Sequence, residues 1–371
     1  MPAPTPARAL AIVLALAGIG VVYDNLGSPD ESMTLGVALF VLGLAGLALR
    51  ETRRLRTVLE MVAVLVLVLA GGEAMVRREN GIAAKAYSDR TMHFVDDPLL
   101  RYEMKPELTC EQSKTNSFGM LDAPRTLEKP PGTLRVACLG DSVGGDCSLP
   151  NDNTCAALEP LLREARGGRP VEVLNFSVPG YNTMQEARAL EVKALRFEPD
   201  AVVVLYVLND PGPDLAISHY LPGHFKFEHL LWRGALLAAG KLTGGKIDPF
   251  AGMFMQLHES PRSWDAVVVA GFDRIHAAAA ARNMPVAVAV FPLFRGPILP
   301  EYRTIYAKVV GEAERHGFTG VDLSQAAFED EPLDTLLKPS RDMIHPNAHA
   351  HHLAATAIAH ALLERHPELA R

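Results

Sequence analysis

The run AVVVLYVL at residues 201–208 constrains the fold more than any other stretch of the chain. A strand of unbroken apolar side chains cannot turn one face to water, so it must be covered on both sides. A parallel sheet with helices above and below supplies that cover. The surrounding sequence keeps the matching rhythm. Short apolar runs at 134–139, 171–178, 285–291 and 318–323 alternate with helical spacing at 154–166, 184–197, 263–282 and 301–316. A last helix is expected from Pro346, placed in its first turn, towards Glu364. Thr183 and Glu186 read as a capping box at the start of the second helix. The alternation predicts an α/β sandwich, whose crevice lies at the carboxyl ends of the strands.

Polar chemistry sits at those ends. The run at 134–139 leads into Gly140, Asp141 and Ser142; the next ends at Pro179 and Gly180; the third ends at Asn209 and Asp210. Asp342 and His345 lie just before the last helix. Acyl transfer needs a nucleophile, a base and donors aimed at a developing oxyanion. Ser142 suits the first role and His345 the second, and Asp342 is spaced to hold the imidazole in one tautomer. The backbone N–H groups of Ser142 and Gly180 and the side-chain amide of Asn209 are the candidate oxyanion donors. Taken singly, each motif is an ordinary turn or cap; their joint placement at successive strand ends is what points to a site.

Three apolar stretches, at 9–23, 33–49 and 57–76, precede this region. They are expected to be about three transmembrane helices, the third fitting the hydrocarbon thickness best. Arg50, Arg53, Arg54 and Arg56 mark the loop before the third stretch as cytoplasmic, against the acidic Asp24, Asp30 and Glu31 of the loop before it. The rest of the chain then lies outside the cytoplasm, although Arg77 and Arg78 oppose this orientation. Residues 1–76 are read as a membrane anchor, 77–130 as a linker or upstream module, and 131–371 as the catalytic domain with an insertion at about 211–262. That insertion carries Phe225, Phe227, Trp232, Phe250 and Phe254, which suit a satellite hydrophobic cluster better than a lid or a bilayer-facing surface.

Of the four cysteines, Cys138 falls in a buried strand and is expected to be a packed thiol. Cys147 and Cys155 flank a loop and could pair, with Cys110 as a rival partner. His345, His349 and His352 fall near one helical face, but no acidic or cysteine ligand completes a zinc site there, so neither metal nor cofactor is expected. With 43 acidic against 36 basic residues the net charge is −7, which argues against a nucleic-acid partner.

The blocks GDSVGGD (140–146), NFSVPGYNT (175–183), LYVLND (205–210) and DMIHPN (342–347) resemble the four blocks of the GDSL/SGNH hydrolases, in their order and spacing. Val207 stands where that family's third block carries glycine, and Val143 where its first carries leucine. The upstream NSFGMLD (116–122) and the apolar anchor resemble those of membrane-linked bacterial members. The resemblance implies a three-layer α/β/α, flavodoxin-like fold. It also implies Ser142 as nucleophile, His345 and Asp342 as base and orienter, and Gly180 and Asn209 as oxyanion donors. The expected activity is hydrolysis of an acylated glycan, lipid or small ester at the periplasmic side of a bacterial inner membrane. An O-acyltransferase acting on a cell-surface polysaccharide would use the same triad. A non-catalytic membrane protein for binding or assembly is the alternative from another class, which a complete triad disfavours.

Overall fold

The computed structural model describes residues 90–111, 113–147, 152–212, 251–294, 297–338 and 344–371. They fall in one unit of the chain, residues 87–216 with 250–371. The three apolar stretches at 9–76, residues 213–250 of the insertion, and Asp342 lie outside the described residues. No helix among the described residues is long and apolar enough to cross a membrane.

Two small hairpins come first, β1 (Met92–Phe94) with β2 (Tyr102–Met104) and β3 (Thr109–Cys110) with β4 (Ser113–Lys114). Five parallel strands follow: β5 (Leu134–Gly140), β6 (Val171–Asn175), β7 (Ala201–Tyr206), β8 (Val286–Val290) and β9 (Thr319–Asp322). Their order across the sheet is β6-β5-β7-β8-β9, the flavodoxin-like doubly wound order. Every residue of β7 is buried, as its unbroken apolar run requires. Its alternate side chains divide between two cores: Val202, Val204 and Tyr206 enter one, Ala201, Val203 and Leu205 the other.

The helices close both faces. α1 (Thr154–Ala165), α6 (Leu323–Ala326) and α7 (Ala348–Arg365) cover the Val203 side. α2 (Thr183–Val192), α4 (Ala270–Ala280) and α5 (Pro300–Arg315) cover the Val202 side. α3 (Ala251–Glu259), the described end of the insertion, adds Phe254 to that second core, where its ring lies 6.3 Å from Tyr302. α4 is preceded by a π-helical stretch, Trp264–Val269, where a continuous helix was expected.

Several local expectations need correction. The capping box on α2 is Asn182 with Gln185, one residue earlier than Thr183 with Glu186. Asn182 is extended and its amide oxygen takes the Gln185 N–H, which moves Glu186 to the buried side of the first turn. Pro346 is not in the first turn of α7: it pairs with Leu337 in an isolated bridge, and Asn347 caps the helix. In its described part the upstream module is packed. Leu100, Tyr102 and Met104 are buried against Val178, Tyr181 and Ala189, and Tyr181 donates to the Tyr102 carbonyl at 2.5 Å.

The cysteines also pair differently. Cys138 is not a free thiol: it is bonded to Cys155, and Cys110 to Cys147. Cys138 points from β5 to the face that α1 covers, where Cys155 occupies the first turn with a Cα–Cα separation of 6.1 Å. Cys110–Cys147 fastens the upstream module to the loop that follows β5.

Candidate active site

β5 ends at Gly140, and the chain turns at once, with the Gly145 N–H bonded to the Asp141 carbonyl. This turn carries Ser142. Its glycines are there because there is no room for a side chain: a Cβ on Gly144 would sit 2.2 Å from the Ser177 side-chain Oγ, and one on Gly145 3.1 Å from the Asp141 and Ser177 carbonyl oxygens. Asn175, at the end of β6, holds the turn from the side by donating its amide to the Gly144 carbonyl at 2.8 Å.

Ser142 Oγ lies 2.9 Å from His345 Nε2 although the two residues are 203 positions apart in sequence. The histidine arrives on a strap. Lys338 N–H donates to the His345 carbonyl at 3.2 Å, Asn347 N–H to the Leu336 carbonyl at 2.7 Å, and Leu337 pairs with Pro346 between them. Asp342, expected at the third triad position, lies outside the described residues.

Asn209 leaves β7 in a turn closed by the Asp210 N–H to the Val207 carbonyl, with Val207 itself buried. The Asn209 amide donates to Asp141 Oδ2 at 3.1 Å, which leaves its second N–H for another acceptor. Gly180 follows β6 with φ of +83°, a conformation that strains any side chain-bearing residue. Ser142, Gly180, Asn209 and His345 are each partly exposed, while Asp141 and Asp210 beside them are fully buried.

The sequence placed Asp141 at the end of the first strand but gave it no role of its own. Its carboxylate receives the Val143 N–H at 2.9 Å, the Asn209 amide, and a long contact of 3.4 Å from Ser142 Oγ. Burial pushes its pKa up, and the Val143 and Asn209 donors hold it down in part. Glu186, read from sequence as a capping residue, and Asp210, read only as a strand-end residue, are buried acids beside it. Their carboxyl oxygens are buried and meet no hydrogen-bond partner among the described residues. Burial pushes both well above the usual carboxylate range, and each is raised further by neighbouring acids, Asp141 for Glu186 and first Glu186 for Asp210. Thr183 Oγ1 lies towards Asp210 without reaching hydrogen-bond geometry. Burial and the neighbouring negative charge thus favour the protonated form at this cluster.

The histidines of α7 separate. His349 and His352 are exposed, while His351 is buried with Nδ1 at 2.8 Å from Thr154 Oγ1. Burial lowers the His351 pKa to about 3, so the ring is neutral.

Comparison with known proteins agrees with the geometry. The sequence pattern of the GDSL-like lipase/acylhydrolase family matches residues 138–353. Similar solved structures include an alpha/beta hydrolase from the metagenome of Lake Arreo, Spain, at 18% identity and a TM-score of 0.40, covering 62% of this chain and 94% of that one. An acetylxylan esterase from Geobacillus stearothermophilus is 17% identical with a TM-score of 0.39, covering 62% and 94%. TesA is 16% identical with a TM-score of 0.38, covering 62% and 97%. No curated protein matches the chain.

Proposed function

Because the chain belongs to the GDSL-like lipase/acylhydrolase family, and so is a serine ester hydrolase, we propose that Ser142 is its nucleophile and His345 its general base. The observation that carries this reading is the 2.9 Å contact between Ser142 Oγ and His345 Nε2. Ser142 Oγ attacks the ester carbonyl while His345 Nε2 takes its proton. The carbonyl oxygen, now an oxyanion, is met by the free N–H of the Asn209 amide and by the backbone N–H groups of Gly180 and Ser142. Collapse of this intermediate expels the alcohol, which receives the proton from His345. Water, deprotonated by His345, then attacks the acyl-Ser142 ester, and the acid leaves as Ser142 regains its proton. Asp342 is assigned to the Nδ1 side of the imidazole on its sequence position, three residues before His345.

The proposed setting is the extracytoplasmic side of a bacterial inner membrane, with residues 1–76 as the anchor. Two disulfides among four cysteines support an oxidising compartment. The three apolar stretches and the arginine-rich loop between the last two support the anchor and its orientation. The proposed substrate is an acyl ester of a glycan, a lipid or a small metabolite. Hydrolysis of esters of increasing acyl length, by the full chain and by Ser142→Ala, tests both points. Turnover that vanishes in Ser142→Ala and favours acetyl supports a glycan ester; a preference for long chains supports a lipid. Turnover that survives the substitution sinks the assignment of the nucleophile. With a polysaccharide acceptor present, recovery of the acyl group on the glycan rather than as free acid would identify an acyltransferase instead.

A further inference from the structure

The catalytic contact joins two segments that have no covalent reason to meet. The serine turn, residues 141–147, is fixed from its own side by the Asn175 amide and by the Cys110–Cys147 disulfide. The histidine strap, residues 336–338 with 345–347, is fixed from its own side by the Leu337–Pro346 bridge and the Asn347 bonds.

Among the described residues, the Lys338 side chain reaches across. Lys338 Nζ forms an ion pair with Asp146 Oδ2, and the two side chains are only 12% and 13% exposed. Asp146 lies four residues beyond Ser142 on the turn. The backbone N–H of Lys338 meanwhile donates to the carbonyl of His345. The result is a closed ring: Ser142 to Asp146 along the chain, Asp146 to Lys338 by charge, Lys338 to His345 by a backbone bond, and His345 back to Ser142. A pair largely withdrawn from solvent is screened less than a surface pair, so it can hold such a ring closed.

We propose that Lys338 is a positioning residue, which sets the Ser142–His345 contact through its ion pair with Asp146. This rests on the esterase reading above. Lys338 touches no reacting atom; it acts on the placement of the base. Misplacing a catalytic group by about 1 Å costs on the order of 100-fold in rate. Removal of the pair is therefore expected to lower kcat by about 10- to 100-fold and leave KM nearly unchanged.

The test uses the full chain. Lys338→Met keeps the length of the stem and removes the charge, Asp146→Asn removes the partner with almost no change of shape, and Lys338→Arg keeps the charge. The expected result is a loss of kcat in Lys338→Met and Asp146→Asn, a double variant no worse than either single one, and recovery in Lys338→Arg. In parallel, the imidazole nitrogen signals of His345 are followed by NMR in protein labelled at histidine. They are expected to move in Lys338→Met and to stay in Lys338→Arg. Wild-type kcat together with unmoved His345 signals in folded Asp146→Asn would overturn the proposal, whatever happens to thermal stability. Turnover that survives Ser142→Ala would instead overturn the esterase reading, and the NMR comparison would still decide whether Lys338 sets the histidine.

Discussion

Asn209→Ala separates the oxyanion role of this side chain from its structural one. Its amide has two N–H groups, and one is committed to Asp141 Oδ2 at 3.1 Å. The other is the donor assigned to the oxyanion. Loss of one such donor costs about 3–4 kcal/mol of transition-state stabilisation, or roughly 100- to 1,000-fold in kcat. KM should hardly move, because the ground-state carbonyl leans on this donor less than the oxyanion does. The same substitution takes a donor from a fully buried carboxylate, which keeps the Val143 N–H at 2.9 Å. That adds a stability cost of about 1–3 kcal/mol. The assay is steady-state hydrolysis of p-nitrophenyl acetate, with denaturant unfolding of the same preparation. Asp141→Asn serves as comparison: it keeps the oxyanion donor but loosens its anchor, so its kcat falls less than that of Asn209→Ala. A folded Asn209→Ala protein whose kcat stays within about threefold of wild type would refute the oxyanion assignment.

Two further outcomes follow from the buried groups. The Cys138–Cys155 and Cys110–Cys147 bonds close segments of 17 and 37 residues, so on chain entropy each contributes about 3–4 kcal/mol. Denaturation midpoints should fall in reductant and should not respond to it when all four cysteines are replaced by alanine. Glu186 has a folded-state pKa well above its ordinary 4.5, so its stability contribution is complete below that pH and is lost as pH rises towards the folded value. Glu186→Gln should therefore raise Tm more at pH 7.5 than at about pH 4; an equal effect at both would mean that the carboxyl is not held protonated.

The sheet was legible because its signal is strong and local. An unbroken apolar run must be covered on both faces, and the strand ends followed from it, so Ser142, Gly180 and Asn209 were read as residues at the ends of runs and His345 as a residue just before the last helix. What the sequence hid depends on which way a side chain points. Asn182 and Thr183 are both good caps, and only the packing of α2 decides between them; the choice put Glu186 inside. Cys138 read as a packed thiol because a strand residue does not announce its partner on the next helix. Asp141 lay between two residues that attracted notice, and its bond to Asn209 spans 68 positions. Lys338 and Asp146 are 192 apart and belong to no common pattern.

The central claim is that residue 142 is a nucleophile activated by the imidazole at 345. Incubation of the full chain with a fluorophosphonate, followed by mass spectrometry of its peptides, measures this without knowledge of the substrate. The phosphonyl group is predicted on Ser142 alone, with labelling abolished in Ser142→Ala and strongly slowed in His345→Ala. An unmodified Ser142 peptide from folded protein, or an adduct on another serine that persists in Ser142→Ala, would contradict it.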